Sequence, residues 1–162
     1  MRHVGVPLGG QGIAYHTARQ NVKHDPIHGG IGCRTVGSIG TIGCVVTEKA
    51  TGKQLLLSNA HILFPPYKGT ILPVGTNVLQ EGFPETIAKT YKTLGEKNPW
   101  PNMTEATKAM KTIGIFHDSA LAEPLIPTTN WINNIGEVTG IAHPKEGMKV
   151  KYYGFTSGLQ KG

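Results

Sequence analysis

Glycine and proline punctuate this chain at short, irregular intervals, 22 and 11 of them in 162 residues, and their spacing has no period. Aperiodic glycine argues against a collagen-like helix, and breaks this dense argue against a helical bundle. Many short strands joined by turns are what such a chain can build. The clearest case is residues 38–58. Residues 38–47 (Ser, Ile, Gly, Thr, Ile, Gly, Cys, Val, Val, Thr) are rich in β-formers, 48–52 (Glu, Lys, Ala, Thr, Gly) make a polar turn ending in glycine, and 53–58 (Lys, Gln, Leu, Leu, Leu, Ser) supply a second strand. Together they predict a β-hairpin.

Around that hairpin the pattern varies. Residues 1–29 are polar and glycine-rich and read as an N-terminal arm; their histidines, His3, His16, His24 and His28, share no short metal-ligand spacing. After the hairpin, Pro65 and Pro66 end whatever helical turn residues 58–63 form. Strand-like alternation follows in 69–79 (Ile71, Val74, Val78). Residues 86–111 are polar and read as an insertion loop with room for a short helix at 104–111. Strand character returns at 113–123 and is broken by Pro124 and Pro127. A last pair is expected from 136–141 and 148–153, turning at Gly147, with 154–162 as an exposed strand or linker.

A chain of this length with 38% hydrophobic residues makes one compact domain, or one complete lobe of a two-lobed fold plus part of the next. The net charge of +6 comes from scattered lysines with no run of like charge, and no aromatic-rich basic strand accompanies them, so a solvated basic surface is expected and no nucleic-acid partner. No apolar stretch is long enough to cross a bilayer, so no membrane role is expected. No signal peptide is legible in residues 1–14; the compartment stays open, with the cytoplasm expected. Cys33 and Cys44 sit beside glycine in apolar, strand-like surroundings and read as buried free thiols.

Two residues stand out chemically. His61 follows the apolar strand directly, in Leu55, Leu56, Leu57, Ser58, Asn59, Ala60, His61, so the strand before it and the turn after it give the imidazole a defined aim. Asp118 is embedded among apolar residues in Ile113, Gly114, Ile115, Phe116, His117, Asp118, Ser119, Ala120, Leu121. A carboxylate in such surroundings is costly unless donors or a cation offset it, which sets it apart from the exposed Glu48, Glu105 and Glu146. Hydrolysis by a serine needs such a base and such a carboxylate to orient it.

Three blocks in order carry a resemblance. Gly40, Thr41, Ile42, Gly43, Cys44, Val45, Val46, followed by Leu56, Leu57, Ser58, Asn59, Ala60, His61, Ile62, Leu63, resembles the catalytic-histidine block of bacterial trypsin-like serine peptidases. Asp118, Ser119, Ala120, Leu121, Ala122 resembles their aspartate block, and 150–158 (Val, Lys, Tyr, Tyr, Gly, Phe, Thr, Ser, Gly) resembles the strand that opens their second barrel. The resemblance covers roughly residues 29–158. It implies an all-β, chymotrypsin-like Greek-key fold: an antiparallel, closed six-stranded first barrel over residues 30–125, and 126–162 as linker and start of a second barrel that does not close by itself. It further implies His61 as general base, Asp118 as the residue that orients it, a protein or peptide substrate and no cofactor.

The chain departs from that family in one respect: the Gly, Asp, Ser, Gly nucleophile block, with its oxyanion-hole amides, does not occur. Ser157 falls where the family has a structural threonine, and Ser58 and Ser119 adjoin the histidine and aspartate segments as structural groups. The chain alone is therefore expected to be inactive, with the nucleophile supplied by sequence beyond Gly162 or by a second chain that also completes the second barrel. The chain would then be a shortened version of a longer protease, a fragment released by self-cleavage near Gly162, or a degenerate protease fold. The alternative is a non-catalytic, protease-like β-barrel acting as a protein-interaction or assembly module. A metal-dependent hydrolase using His61, His117, Asp118 and His143 is a third reading, weakened by the lack of close ligand spacing.

Overall fold

The computed structural model describes residues 22–68, 70–94 and 118–162. Within them the protein is all-β, apart from one helical turn, α1 (Ala60–Leu63). The main sheet is antiparallel throughout and contains β2 (Gly32–Thr35), β3 (Ser38–Thr41), β4 (Cys44–Thr47), β5 (Gln54–Ser58), β8 (Asn77–Gln80), β9 (Thr86–Thr93) and β10 (Ala120–Pro124). Their spatial order is β3, β2, β8, β9, β10, β5, β4. Shorter pairs surround it: β6 (Pro66–Tyr67) with β7 (Thr70–Ile71), β1 (Ile27–Gly29) with β11 (Thr128–Ile132) and β12 (Gly136–Glu137), and β13 (Lys151–Gly154) with β14 (Gly158–Lys161).

The expected hairpin forms between β4 and β5, with Cys44 opposite Leu57 and Thr47 opposite Gln54. Its turn closes through Glu48 N–H to Lys53 O and Gly52 N–H to Glu48 O, both 2.8 Å, and Gly52 takes a φ of 71°, a left-handed conformation that suits glycine. Residues 38–47 are two strands instead of one. Ile42 exchanges backbone hydrogen bonds with Gly30 and Ile31, while Gly43 N–H donates to Leu57 O at 2.8 Å. The run thus pairs first with β2 and then with β5. Since β3 and β4 are also the two edges of the sheet, the sheet curls until its edges are successive parts of one chain.

Side-chain size permits the curl. Inside it lie Ile27, Ile31, Cys33, Ile42, Val45, Leu56, Leu63, Phe64 and Val78, with Ala60, Ala88, Ala120 and Ala122 filling the narrow places. Large faces small across the strands: Val78 is opposite Ala88, and Leu56 opposite Ala122. Both cysteines are free; burial pushes the Cys33 thiol up to about 12 and also raises Cys44.

Several local expectations change, and one lies outside the described residues. Residues 86–93, read as part of an insertion loop, form the eight-residue β9 between β8 and β10. Its inward positions include Ala88 and Thr90, and Thr90 is tolerated there because its hydroxyl donates to Pro73 O and accepts from Thr76 N–H, both 2.9 Å. The helix expected at 104–111 lies outside the described residues. The chain after Pro127 is a strand, β11, because it pairs in parallel with β1, whose Ile27 is fully buried; this end of the expected arm is packed structure. The expected pair 136–141 with 148–153 does not form. Gly147 does turn, with a φ of 77°, but 151–154 pairs with 158–161. That hairpin is anchored by Phe155, which is buried against Gly32 and whose N–H donates to Thr41 Oγ1 at 2.9 Å. Among the described residues no helix is long and apolar enough to cross a membrane.

One close approach supports the chemistry directly. A Cβ on Gly40 would lie 2.6–2.8 Å from three carbons of the Ile62 side chain, so only glycine lets α1 settle onto β3. Gly40→Ala should therefore destabilise the fold by about 1–3 kcal/mol in urea unfolding. Combined with Ile62→Ala, the loss should fall short of the sum of the two single losses, because the second change removes the clash.

Candidate active site

His61 is the outward-facing residue of α1: Ala60, Ile62 and Leu63 are buried, whereas the His61 side chain is 52% exposed. Four residues make too short a helix to hold a side chain by themselves, so the anchors come from neighbouring strands. Thr35 Oγ1 donates to Ile62 O at 2.7 Å, Ser38 Oγ donates to His61 O at 3.1 Å, and Phe64 N–H closes the turn onto Ala60 O at 2.8 Å. Below the turn, the buried Ser58 donates to Thr41 O at 2.7 Å, tying the end of β5 to β3.

Asp118 reaches this turn through sheet register. β10 runs antiparallel to β5 with Ala120 opposite Ser58, so the chain just before β10 and the chain just after β5 leave the sheet at the same end. There the Asp118 carboxylate gathers three donors. His61 Nδ1 lies 2.5 Å from Oδ2, His61 backbone N–H donates to Oδ1 at 3.0 Å, and Asn59 Nδ2 donates to Oδ2 at 3.1 Å. Asn59 Nδ2 also lies 3.0 Å from Asp118 O, which fixes the backbone of the aspartate as well as its side chain.

The charge state follows from this donor set. Partial burial pushes the Asp118 carboxyl up, but the His61 N–H, the imidazole and Asn59 outweigh it and hold the pKa below its ordinary value of 3.8. An ionised carboxylate only accepts, so the imidazole donates from Nδ1, and the neutral ring then carries its lone pair on Nε2. With Nδ1 engaged and half of the ring exposed, Nε2 is the nitrogen placed to take a proton from a group arriving from solvent.

Both singled-out residues, His61 and Asp118, are thus brought together. Ser58 is a buried structural group, in line with its expected role. Ser119 lies between Asp118 and β10, and its carbonyl accepts from Leu94 N–H at 2.9 Å. Ser157 sits in the β13–β14 connection, where its carbonyl accepts from Gln160 Nε2 at 2.8 Å. Of the third reading's ligands, His117 lies outside the described residues and His143 sits in the exposed stretch 139–147, while His61 and Asp118 bond each other directly.

The residue that sequence reasoning missed is Asn59. Directly before a helical turn, asparagine signals an N-cap. Asn59 holds that position, with φ −72° and ψ 147°, but its side chain makes no cap bond and is turned onto Asp118 instead. No family model, curated protein or solved structure matches the chain.

Two outcomes are expected. In the folded protein the Asp118 side-chain carboxyl carbon should titrate by NMR with a midpoint below 3.8, and Asn59→Ala should move that midpoint upward. Since the folded pKa lies below the unfolded one, the stabilisation from Asp118 is complete above the unfolded pKa and fades as pH falls through the folded one. Asp118→Asn should accordingly flatten the fall in stability across that acidic window.

Proposed function

We propose that this chain carries the base and the orienting carboxylate of a trypsin-like serine endopeptidase, with the nucleophilic serine supplied by sequence beyond Gly162 or by another chain. The observation that carries this reading is the 2.5 Å contact between His61 Nδ1 and Asp118 Oδ2, made by a carboxylate that also accepts from the His61 backbone and from Asn59. The sheet topology adds support. With residues 38–47 counted as one bent strand, the neighbour order β2, 38–47, β5, β10, β9, β8 is the one that a closed, six-stranded chymotrypsin-like first barrel with Greek-key connections would have.

In this mechanism the substrate peptide lies across the exposed face of His61. The serine Oγ attacks the scissile carbonyl carbon as Nε2 takes the hydroxyl proton, leaving an imidazolium bonded through Nδ1–H to Asp118. The same proton then passes from Nε2 to the departing amine, and water repeats the sequence on the acyl-enzyme. Asn59 acts through Asp118: by holding the carboxylate it fixes the plane and tautomer of the ring. The β13–β14 hairpin would begin the second barrel. The apolar side chains exposed on and next to it, Met148, Val150, Tyr152 and Leu159, would be covered by the remainder of that barrel, which also brings the oxyanion-hole donors.

The test is labelling with a serine-reactive fluorophosphonate, using protein that extends beyond residue 162 through the nucleophile block or this chain mixed with the chain that supplies it. Labelling is expected, with loss in His61→Ala and a fall in kcat of roughly four orders of magnitude in Asp118→Asn. An extended, folded protein that takes up no probe would exclude the peptidase and leave the interaction module. The 162-residue chain by itself is expected to show no hydrolysis.

A further inference from the structure

A second site includes no residue of the His61 turn: the start of β2, the end of β8, the loop at 133–134 and the β13–β14 hairpin surround a cavity of about 190 Å³. Ile31, Glu81, Asn133, Asn134, Tyr153 and Phe155 are among its walls. We propose that this cavity binds the ammonium or guanidinium end of a short alkyl chain, as on a lysine or arginine side chain or a free amine, with the Glu81 carboxylate as its counter-charge.

The argument starts from an unmade bond. The Glu81 side chain is only 10% exposed, and its Oε2 is the one buried side-chain nitrogen or oxygen among the described residues without a hydrogen-bond partner. Arg34 Nε is 3.7 Å away, beyond hydrogen-bond reach, and Arg34 Nη2 is directed to Phe83 O at 3.4 Å. The neighbouring Gln80, also buried, shows the contrast: its Nε2 donates to Val22 O at 2.7 Å and its Oε1 accepts from His24 N–H at 2.9 Å. The shortage of donors is therefore specific to Glu81, and a buried carboxylate lacking a donor is the kind of group that a cationic ligand satisfies.

The surroundings define the ligand further. His24, also on the cavity wall, has its pKa lowered by burial and by the neighbouring His28, so near neutral pH it does not provide the missing positive charge. The aromatic rings of Tyr153 and Phe155 and the side chain of Ile31 suit an alkyl stem, and aromatic groups near the carboxylate favour an organic cation. The asparagines add amide oxygens for its remaining N–H groups. The volume falls below the roughly 300–1,000 Å³ of pockets for drug-sized ligands, which limits the occupant to a short chain. The floor is fixed: a Cβ on Gly32 would come within 2.5 Å of the Phe155 ring, so the hairpin packs tightly there.

The experiment is a titration of the 162-residue chain, followed by backbone amide NMR at low salt and matched ionic strength, with n-butylammonium, n-butylguanidinium and N-acetyl-lysine methylamide against n-butanol. The cations should give saturable shifts at residues 30–32, 81, 133–134 and 153–155, and n-butanol should not. Glu81→Gln, which preserves shape, should weaken the cations by roughly tenfold or more. n-Butylammonium should raise the thermal midpoint of the unsubstituted protein and leave that of Glu81→Gln unchanged. Binding of the lysine derivative at least as tight as that of n-butylammonium identifies a peptide side chain as the occupant; binding of the free amines alone identifies a small amine. Equal responses to n-butanol and n-butylammonium, unchanged affinity in Glu81→Gln, or shifts at these residues with Ca²⁺ but not with amines would each overturn the proposal. None of these outcomes depends on the peptidase reading.

Discussion

The antiparallel register between β5 and β10 is the constraint on which the site depends. With Ala120 opposite Ser58, the residues that continue each strand emerge at the same end of the sheet, and His61 and Asp118 meet although they are 57 residues apart in sequence. A slip of β10 by one residue would turn that strand over, taking Ala120 and Ala122 out of the core and turning Leu121 and Glu123 towards it. The packing that keeps these apolar residues inside therefore also fixes the distance between imidazole and carboxylate. Core and site share one geometric determinant.

Asp118 and Glu81 illustrate opposite solutions to the same problem. Asp118 is surrounded by donors, and their combined effect exceeds the cost of its partial burial, so it stays ionised and holds the imidazole in one tautomer. Glu81 is more deeply enclosed and has only a loose ion pair with Arg34. A saturated carboxylate of the first kind positions a neighbour, whereas an undersatisfied one of the second kind keeps binding capacity for a group from outside. The fold holds both at strand ends: Asp118 just before β10 and Glu81 just after β8.

Much of this was legible in the residues. The hairpin at 38–58 follows from β-forming runs around a polar turn that ends in glycine, and the end of the helical turn after it from the prolines at 65 and 66. His61 and Asp118 stood out because each interrupts apolar surroundings. β9 was not legible, since its inward positions hold alanine and threonine where a readable strand shows large apolar residues, and Thr90 becomes acceptable only through bonds to Pro73 and Thr76. The same holds for β11, whose partner β1 lies far away in sequence. The role of Asn59 was not legible either, because its amide finds its partner only where Asp118 arrives from a distant strand.

The sequence by itself determined the class of structure and singled out the imidazole and the carboxylate that pair. Strand propensity, turn residues and apolar patterning act between near neighbours, and an acid or imidazole among apolar residues is conspicuous without coordinates. Tertiary structure decided which groups meet: that 38–47 bends at Ile42 and Gly43 to serve both edges of the sheet, that Asn59 turns to Asp118, that Gly40 admits Ile62, and that Glu81 is enclosed with its Oε2 lacking a hydrogen bond. Each of these depends on packing and hydrogen bonds between segments distant along the chain, and local preference does not encode such distances.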